Sequence, residues 1–192
     1  MFTLALFASG AGTNVENIIN YFNRPAKNIT IGTVFVNNSH AGVIERAQRA
    51  NIPVHIFNRN DFYHTDSVLK ELQECRINAI VLAGFLWLVP EKLIQLFPQR
   101  ILNIHPALLP AYGGEGMYGM RVHRAVIANR EQKSGITIHE VNSEYDSGKI
   151  IFQAACDVTP TDTPDTLATK IHQLERQHFP RVIEEWITTL AD

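Results

Sequence analysis

The chain has 192 residues, 45% hydrophobic and 19% charged, the make-up of an ordinary soluble globular protein with enough length for one compact α/β domain. A net charge of −2 gives no electrostatic footprint for nucleic acid or for an anionic membrane surface. Cys75 and Cys156 form neither a CxxC pair nor a disulfide framework, so both are read as reduced residues of a cytoplasmic protein.

Phe2 to Ala8 is apolar but too short to span a bilayer, and it lacks the basic start of a signal peptide. Thr3 to Ala8 reads instead as a buried strand. Ser9-Gly10-Ala11-Gly12-Thr13-Asn14 follows, and helical spacing begins at Val15 with Ile18, Ile19 and Phe22 on one face and Pro25 beyond the end. Strand, glycine turn and helix together aim backbone N–H groups and the helix dipole at an anion. The dinucleotide fingerprint fails, because Val15 stands at the third glycine position. After the second strand, Ile29 to Val36, Asn37 and Asn38 replace the ribose-binding acid, and a Walker lysine is absent. A lone phosphate on Gly12, Thr13 and Asn14 fits better than a dinucleotide. A tight turn without a ligand is the alternative.

The βα rhythm continues with a helix from Ala41 to Ala50 and a strand from Pro53 to Phe57. The spacing of Val68, Leu69 and Leu72 predicts one amphipathic helix over Asp61 to Cys75. Ala79 to Ala83 is all apolar, as a central parallel strand buried on both faces would be. Gly84 to Val89 is unusually greasy for a turn at a strand's carboxyl end. Leu86, Trp87, Leu88 and Val89 make an apolar wall suited to a flat aromatic ligand, although Trp87 reads equally well as packed core. Pro90 opens a helix through Phe97, and Arg100 to Asn103 is the fifth strand.

At the end of that strand stands Asn103-Ile104-His105-Pro106. Alternation puts Asn103 and His105 on one face, and Pro106 stops the strand. An amide donor beside an imidazole suits a reaction that develops negative charge on a carbonyl oxygen. The plainer reading is a strand cap followed by a loop histidine. Ala111 to Met120 carries Gly113, Gly114, Gly116 and Gly119 and is expected to be mobile without ligand; Arg121 to Asn129 is helical. Gly135 to Val141 and Lys149 to Cys156 read as an antiparallel hairpin. Its loop holds Asp146, which is either ordinary turn chemistry or a carboxylate that orients the imidazole. His139 either stands behind the pair or is a satisfied core histidine. His123, His172 and His178 have no metal-ligand spacing, and no metal site is expected. A long helix from Pro164 to Leu190, bent at Pro180, closes the chain. The whole predicts a Rossmann-like α/β fold: a mostly parallel sheet with helices on both faces and an antiparallel hairpin near its C-terminal end. Residues 1–192 are read as a single domain, 1–100 holding the phosphate and 101–192 the catalytic groups.

Three stretches, Ser9 to Asn14, Asn103 to Pro110, and Gly135 to His139 leading to Asp146-Ser147-Gly148, occur in this order along the chain. Together they resemble the phosphoribosylglycinamide formyltransferase family, folate-dependent formyltransferases of purine synthesis, over nearly the whole length. The resemblance implies Asn103, His105 and Asp146 as the catalytic trio, with His105 acting protonated and His139 behind it. It implies Gly12, Thr13 and Asn14 as the phosphate site of glycinamide ribonucleotide and Glu175 as a contact of its glycinamide portion. Leu86, Trp87, Leu88, Val89, Ile101 and Asn142 would line the pocket for 10-formyltetrahydrofolate, the formyl donor. A cis Leu109–Pro110 bond and a monomer or weak homodimer are implied as well. Two relatives share the Asn-x-His-Pro core. A methionyl-tRNA formyltransferase is expected to need a further basic domain, and a formyltetrahydrofolate deformylase an additional amino-terminal one. A phosphate-binding module without catalysis would need Gly12 to Asn14 but not the trio.

Overall fold

The computed structural model describes residues 2–24 and 28–191, so Pro25 lies outside the described residues. Residue contacts divide the chain into two compact units, Met1–Leu102 and Asn103–Asp192. In the first, β1 (Phe2–Ala8) carries Leu4, Ala5, Leu6 and Phe7, all fully buried. It pairs in parallel with β2 (Ile29–Val36) and β4 (Ala79–Leu82), and β2 pairs in parallel with the short β3 (Val54–Ile56). The Phe7 and Phe35 rings face each other across the β1–β2 register and stack at 4.7 Å, seeding an aromatic core. Helix α1 (Thr13–Phe22) buries Val15, Ile18, Ile19 and Phe22, the stripe its spacing predicts. Helix α2 (Val43–Arg49) follows β2, and α5 (Glu91–Leu96) follows β4.

The single helix expected over Asp61 to Cys75 is two helices, α3 (Arg59–Tyr63) and α4 (Ser67–Glu74). Local polar competition explains both the early start and the break. The Asn58 side chain accepts the Asp61 N–H while the Asp61 carboxylate accepts the Asn58 N–H, each at 3.0 Å, a reciprocal cap that starts α3 ahead of the apolar stripe. At its end the hydroxyls of Thr65 and Ser67 both donate to the Asp61 carbonyl, at 3.2 and 3.4 Å. The N–H groups of His64 and Thr65 both turn back to the Asn60 carbonyl instead. The ladder stops there.

In the second unit, β6 (Lys133–Glu140) and β7 (Ile150–Asp157) form the expected antiparallel hairpin, with a register shift between Ile138 and His139. Helix α6 (Met120–Ala128) precedes β6. Helix α7 (Pro164–Ala191) runs through Pro180 and buries Leu167, Ile171, Phe179, Val182, Ile183, Trp186 and Ile187. Strand β5 (Ile101–His105) begins in the first unit and ends in the second, two residues beyond the expected end at Asn103. Among the described residues seven strands hydrogen-bond in the order β3-β2-β1-β4-β5-β6-β7. This is the mostly parallel α/β sheet with a late hairpin that the sequence predicts.

Candidate active site

Because β5 continues to His105, Asn103 and His105 are both strand residues, and alternation sets them apart from the buried Leu102 and Ile104. Asp146 reaches both from the β6–β7 loop. His105 Nδ1 lies 3.4 Å from Asp146 Oδ2, and Asn103 Nδ2 lies 3.5 Å from Asp146 Oδ1, the outer limit of a hydrogen bond. His139, at the register shift of β6, is the fourth member of the group. Its Nδ1 donates to the Glu140 carbonyl at 2.9 Å, which leaves Nε2 to accept from the Asn103 amide at 3.1 Å. His139 is therefore both a buried, satisfied histidine and the residue that turns the Asn103 side chain.

Residues 112–114 meet the pair through their backbone. His105 Nε2 donates to the Tyr112 carbonyl at 2.8 Å, and the Gly114 N–H donates to Asp146 Oδ2 at 3.0 Å. Tyr112 holds a left-handed backbone (φ 58°), while its hydroxyl donates to Glu131 at 2.7 Å and accepts from Asn129 at 2.9 Å. A Cβ on Gly113 would stand 2.6 Å from the Leu109 side chain and 3.2 Å from Asp146 Cβ, so a larger residue there would press on both. Asp146 itself sits at φ 53°, a conformation that aspartate tolerates better than most residues. The Leu109–Pro110 bond is cis.

Burial decides the charge of the imidazole. His105 is 3% exposed, and desolvation pulls its pKa below the ordinary 6.5 against the opposing influence of Asp146 and the Tyr112 carbonyl. A pKa below 6.5 leaves the resting imidazole mostly neutral near pH 7. Burial alone would raise the Asp146 pKa. The approach of His139 Nε2 to 3.5 Å, the neighbouring His105 ring and the Gly114 N–H together overcome it and hold the carboxyl below its ordinary value, ionised at neutral pH. Both nitrogens of His105 then face acceptors. A proton delivered to Nδ1 is received between the ring and a carboxylate.

Of the other residues singled out in this unit, Asn142 spends its side-chain oxygen on its own loop, accepting from the Glu144 N–H at 3.1 Å and the Ser147 hydroxyl at 3.0 Å. Glu175 is a carboxylate set within the apolar stripe of α7 and is 8% exposed. His172 is exposed, and His123 is buried in α6.

Gly12, Thr13, Asn14, Leu86 to Val89 and Ile101 belong to the other unit. Gly12 has φ 78° and precedes α1, whose first turn receives no side-chain cap. A Cβ on Gly12 would lie 2.5 Å from Val43 Cβ, so packing against α2 also requires glycine here. The same helix shapes the turn through Arg46, which donates to the Ala11 carbonyl at 2.8 Å and pairs with Glu16. Nothing in the spacing of Arg46 announces this, because only the fold brings it to the turn. The greasy segment is also tied down: Leu86 N–H donates to Ser9 Oγ at 3.1 Å, and the Tyr63 hydroxyl donates to the Leu88 carbonyl at 2.9 Å. Trp87 is half-buried against Phe57, Phe62, Tyr63 and Phe85, and the Arg59 guanidinium lies 5.1 Å from its ring centroid. Leu86 is the exposed member at 42%, whereas Val89 and Ile101 are buried at 4% and 1%.

The family described as formyl transferase matches residues 2–183. A chloroplastic phosphoribosylglycinamide formyltransferase of Arabidopsis thaliana is 39% identical over 185 residues, 94% of this chain and 63% of that protein. The phosphoribosylglycinamide formyltransferase of Haemophilus influenzae is 36% identical over 192 residues, 96% of this chain and 86% of that one. Against the plant relatives of A. thaliana and Vigna unguiculata the chain spans only about three fifths of their length, 63% and 59%. Among solved structures, glycinamide ribonucleotide transformylase 1 of Geobacillus kaustophilus superposes with a TM-score of 0.87 at 32% identity, covering 96% of this chain and 98% of that one.

Proposed function

Because this chain belongs to the formyl transferase family, we propose that it moves the formyl group of 10-formyltetrahydrofolate to the primary amine of glycinamide ribonucleotide. The observation that carries the proposal is the convergence of Asn103, His105 and Asp146 on one another, with His139 and the Tyr112 carbonyl fixing their orientation. The printed names of the relatives supply the substrate.

In the proposed reaction the amine attacks the formyl carbon, a carbon–nitrogen bond forms, and the carbonyl oxygen becomes an oxyanion. One Asn103 N–H is spent on His139; the other, only loosely aimed at Asp146, is the donor for that oxyanion. The neutral His105 takes the proton that the attacking nitrogen must lose, at the nitrogen facing Asp146, directly or through water. The imidazolium so formed adds its charge to the stabilisation of the intermediate, and Asp146 stabilises the imidazolium. Collapse returns the proton to the departing folate nitrogen. In that collapse the oxyanion's electron pair re-forms the carbonyl, the bond from the formyl carbon to the folate nitrogen breaks, and that nitrogen leaves with the bonding pair and the proton. Gly12, Thr13 and Asn14 are assigned the phosphate, Glu175 the glycinamide portion, and Leu86, Trp87, Leu88, Val89, Ile101 and Asn142 the folate. We read residues 1–192 as one formyltransferase domain that acts in the cytoplasm as a monomer or weak homodimer, without nucleic acid or membrane.

Purified protein given glycinamide ribonucleotide and 10-formyltetrahydrofolate should yield the formylated ribonucleotide. Asn103→Ala should lower kcat roughly 100- to 1,000-fold, the usual cost of one lost oxyanion donor, in a protein that its circular dichroism shows to be folded. Formyl release that proceeds without the ribonucleotide would favour water as the acceptor. A fully active Asn103→Ala enzyme would remove that residue from the chemistry.

A further inference from the structure

Away from the site just described, β3, α4 and the C-cap of α4 bring together His55, Glu71 and Cys75, one potential ligand atom from each lying within 4.8 Å of the others. Glu71 and the capping Cys75 are four residues apart, and the Cys75 N–H donates to the Glu71 carbonyl at 2.9 Å, so the helical spacing sets both on one face. The imidazole stands between them, with Nδ1 3.3 Å from Glu71 Oε2 and Nε2 4.0 Å from Cys75 Sγ. Its ring stacks on Phe35 at 5.2 Å and 20°, which restrains the ring plane. The formyl-transfer proposal uses none of these residues. We propose that His55, Glu71 and Cys75 form a binding site for a divalent cation of the Zn²⁺ class.

An imidazole nitrogen, a thiolate and a carboxylate form a mixed donor set that suits Zn²⁺ and that Mg²⁺ and Ca²⁺, which require oxygen, do not prefer. With a neutral imidazole the set carries two negative charges, matching the ion. Tetrahedral bonds of about 2.0–2.3 Å put ligand atoms roughly 3.3–3.6 Å apart, so the cluster closes on an ion by side-chain rotations of about 1 Å. All three residues are half-buried, which leaves an approach for the ion and a position for water as the fourth ligand. Burial and the charges of Glu71 and Glu74 hold the Cys75 thiol above its ordinary pKa. The negative field that disfavours a bare thiolate attracts a dication. On binding, the sulfur–proton bond is exchanged for a sulfur–metal bond and the proton leaves to solvent. Sequence spacing conceals the set, because His55 lies twenty residues from Cys75 on a different element.

The test uses the untagged full chain, chelator-stripped and reduced, titrated with Zn²⁺ alone against a chromogenic chelator and with Co²⁺ alone in the near ultraviolet. One tight equivalent and a Co²⁺–thiolate charge-transfer band are expected. Cys75→Ser should abolish the band and, like His55→Gln, weaken Zn²⁺ binding at least ~10-fold. The half-exposed Glu71→Gln, which leaves the fold least disturbed, should weaken it about 10-fold. Cys156→Ser should change neither, and melting curves of the stripped variants establish that each is folded. Absence of the band, its survival in Cys75→Ser or its loss in Cys156→Ser overturns the proposal, as does unchanged affinity in Glu71→Gln. Any of these would leave a thiol–imidazole–carboxylate chain without a metal.

Discussion

His105 is held by opposing demands: burial favours its neutral form, while acceptors at both nitrogens favour the charged one. Burial prevails at rest, and this fixes the sign of the pH dependence. A neutral proton acceptor is lost as pH falls through its pKa, so kcat/KM should drop along an acid limb whose midpoint lies below 6.5. The Asp146 charge raises the His105 pKa. Asp146→Asn should therefore move the limb to lower pH while lowering the maximum rate. A limb that moves upward, or stays in place, would mean that another group sets it. At this scale the sequence was readable where chemistry sits on a strand, since period-two alternation alone pairs Asn103 with His105. It was silent on the Tyr112 carbonyl and the Gly114 N–H, because every residue carries those groups and only folding shows which ones are aimed at the site.

The elements were legible wherever an apolar period was uninterrupted: β2 matches Ile29 to Val36, and α1 buries the four residues its spacing marks. The one misjudged helix, Asp61 to Cys75, failed because Thr65 and Ser67 divert the Asp61 carbonyl without disturbing the apolar pattern. Helix α6 carries a cost of its own. His123 is 2% exposed, its Nδ1 has no hydrogen-bond partner, and burial first, then His172 and His105, push its pKa down to about 4. Between the unfolded value near 6.5 and that folded value the unfolded chain binds a proton that the folded one refuses. Stability from this residue is complete above about pH 6.5 and is lost as pH falls toward 4. At pH 5 the loss is on the order of 2 kcal/mol. His123→Leu, which removes the titration without orphaning a partner at Nδ1, should lose less melting temperature between pH 7.5 and 5 than the parent. Equal losses would show that His123 titrates normally.

Over the whole chain, fold class and family were both within reach of the sequence, for different reasons. The fold follows from hydrophobic periodicity and glycine punctuation. The family follows from three short stretches whose order no single spacing rule would demand, now matched over residues 2–183. Least legible was what depends on distant residues meeting: Arg46 on the Ala11 carbonyl, Trp87 inside an aromatic cluster, and His55 with Cys75. The central claim is that Asn103, His105 and Asp146 act on one reacting carbon as a unit. Single-turnover formyl transfer by Asn103→Ala, Asp146→Asn and the double variant tests it most directly. Residues that act together are non-additive, so the double variant should be about as slow as the slower single one. Rate losses that multiply in the double variant, or an Asp146→Asn enzyme as fast as the parent, would contradict it.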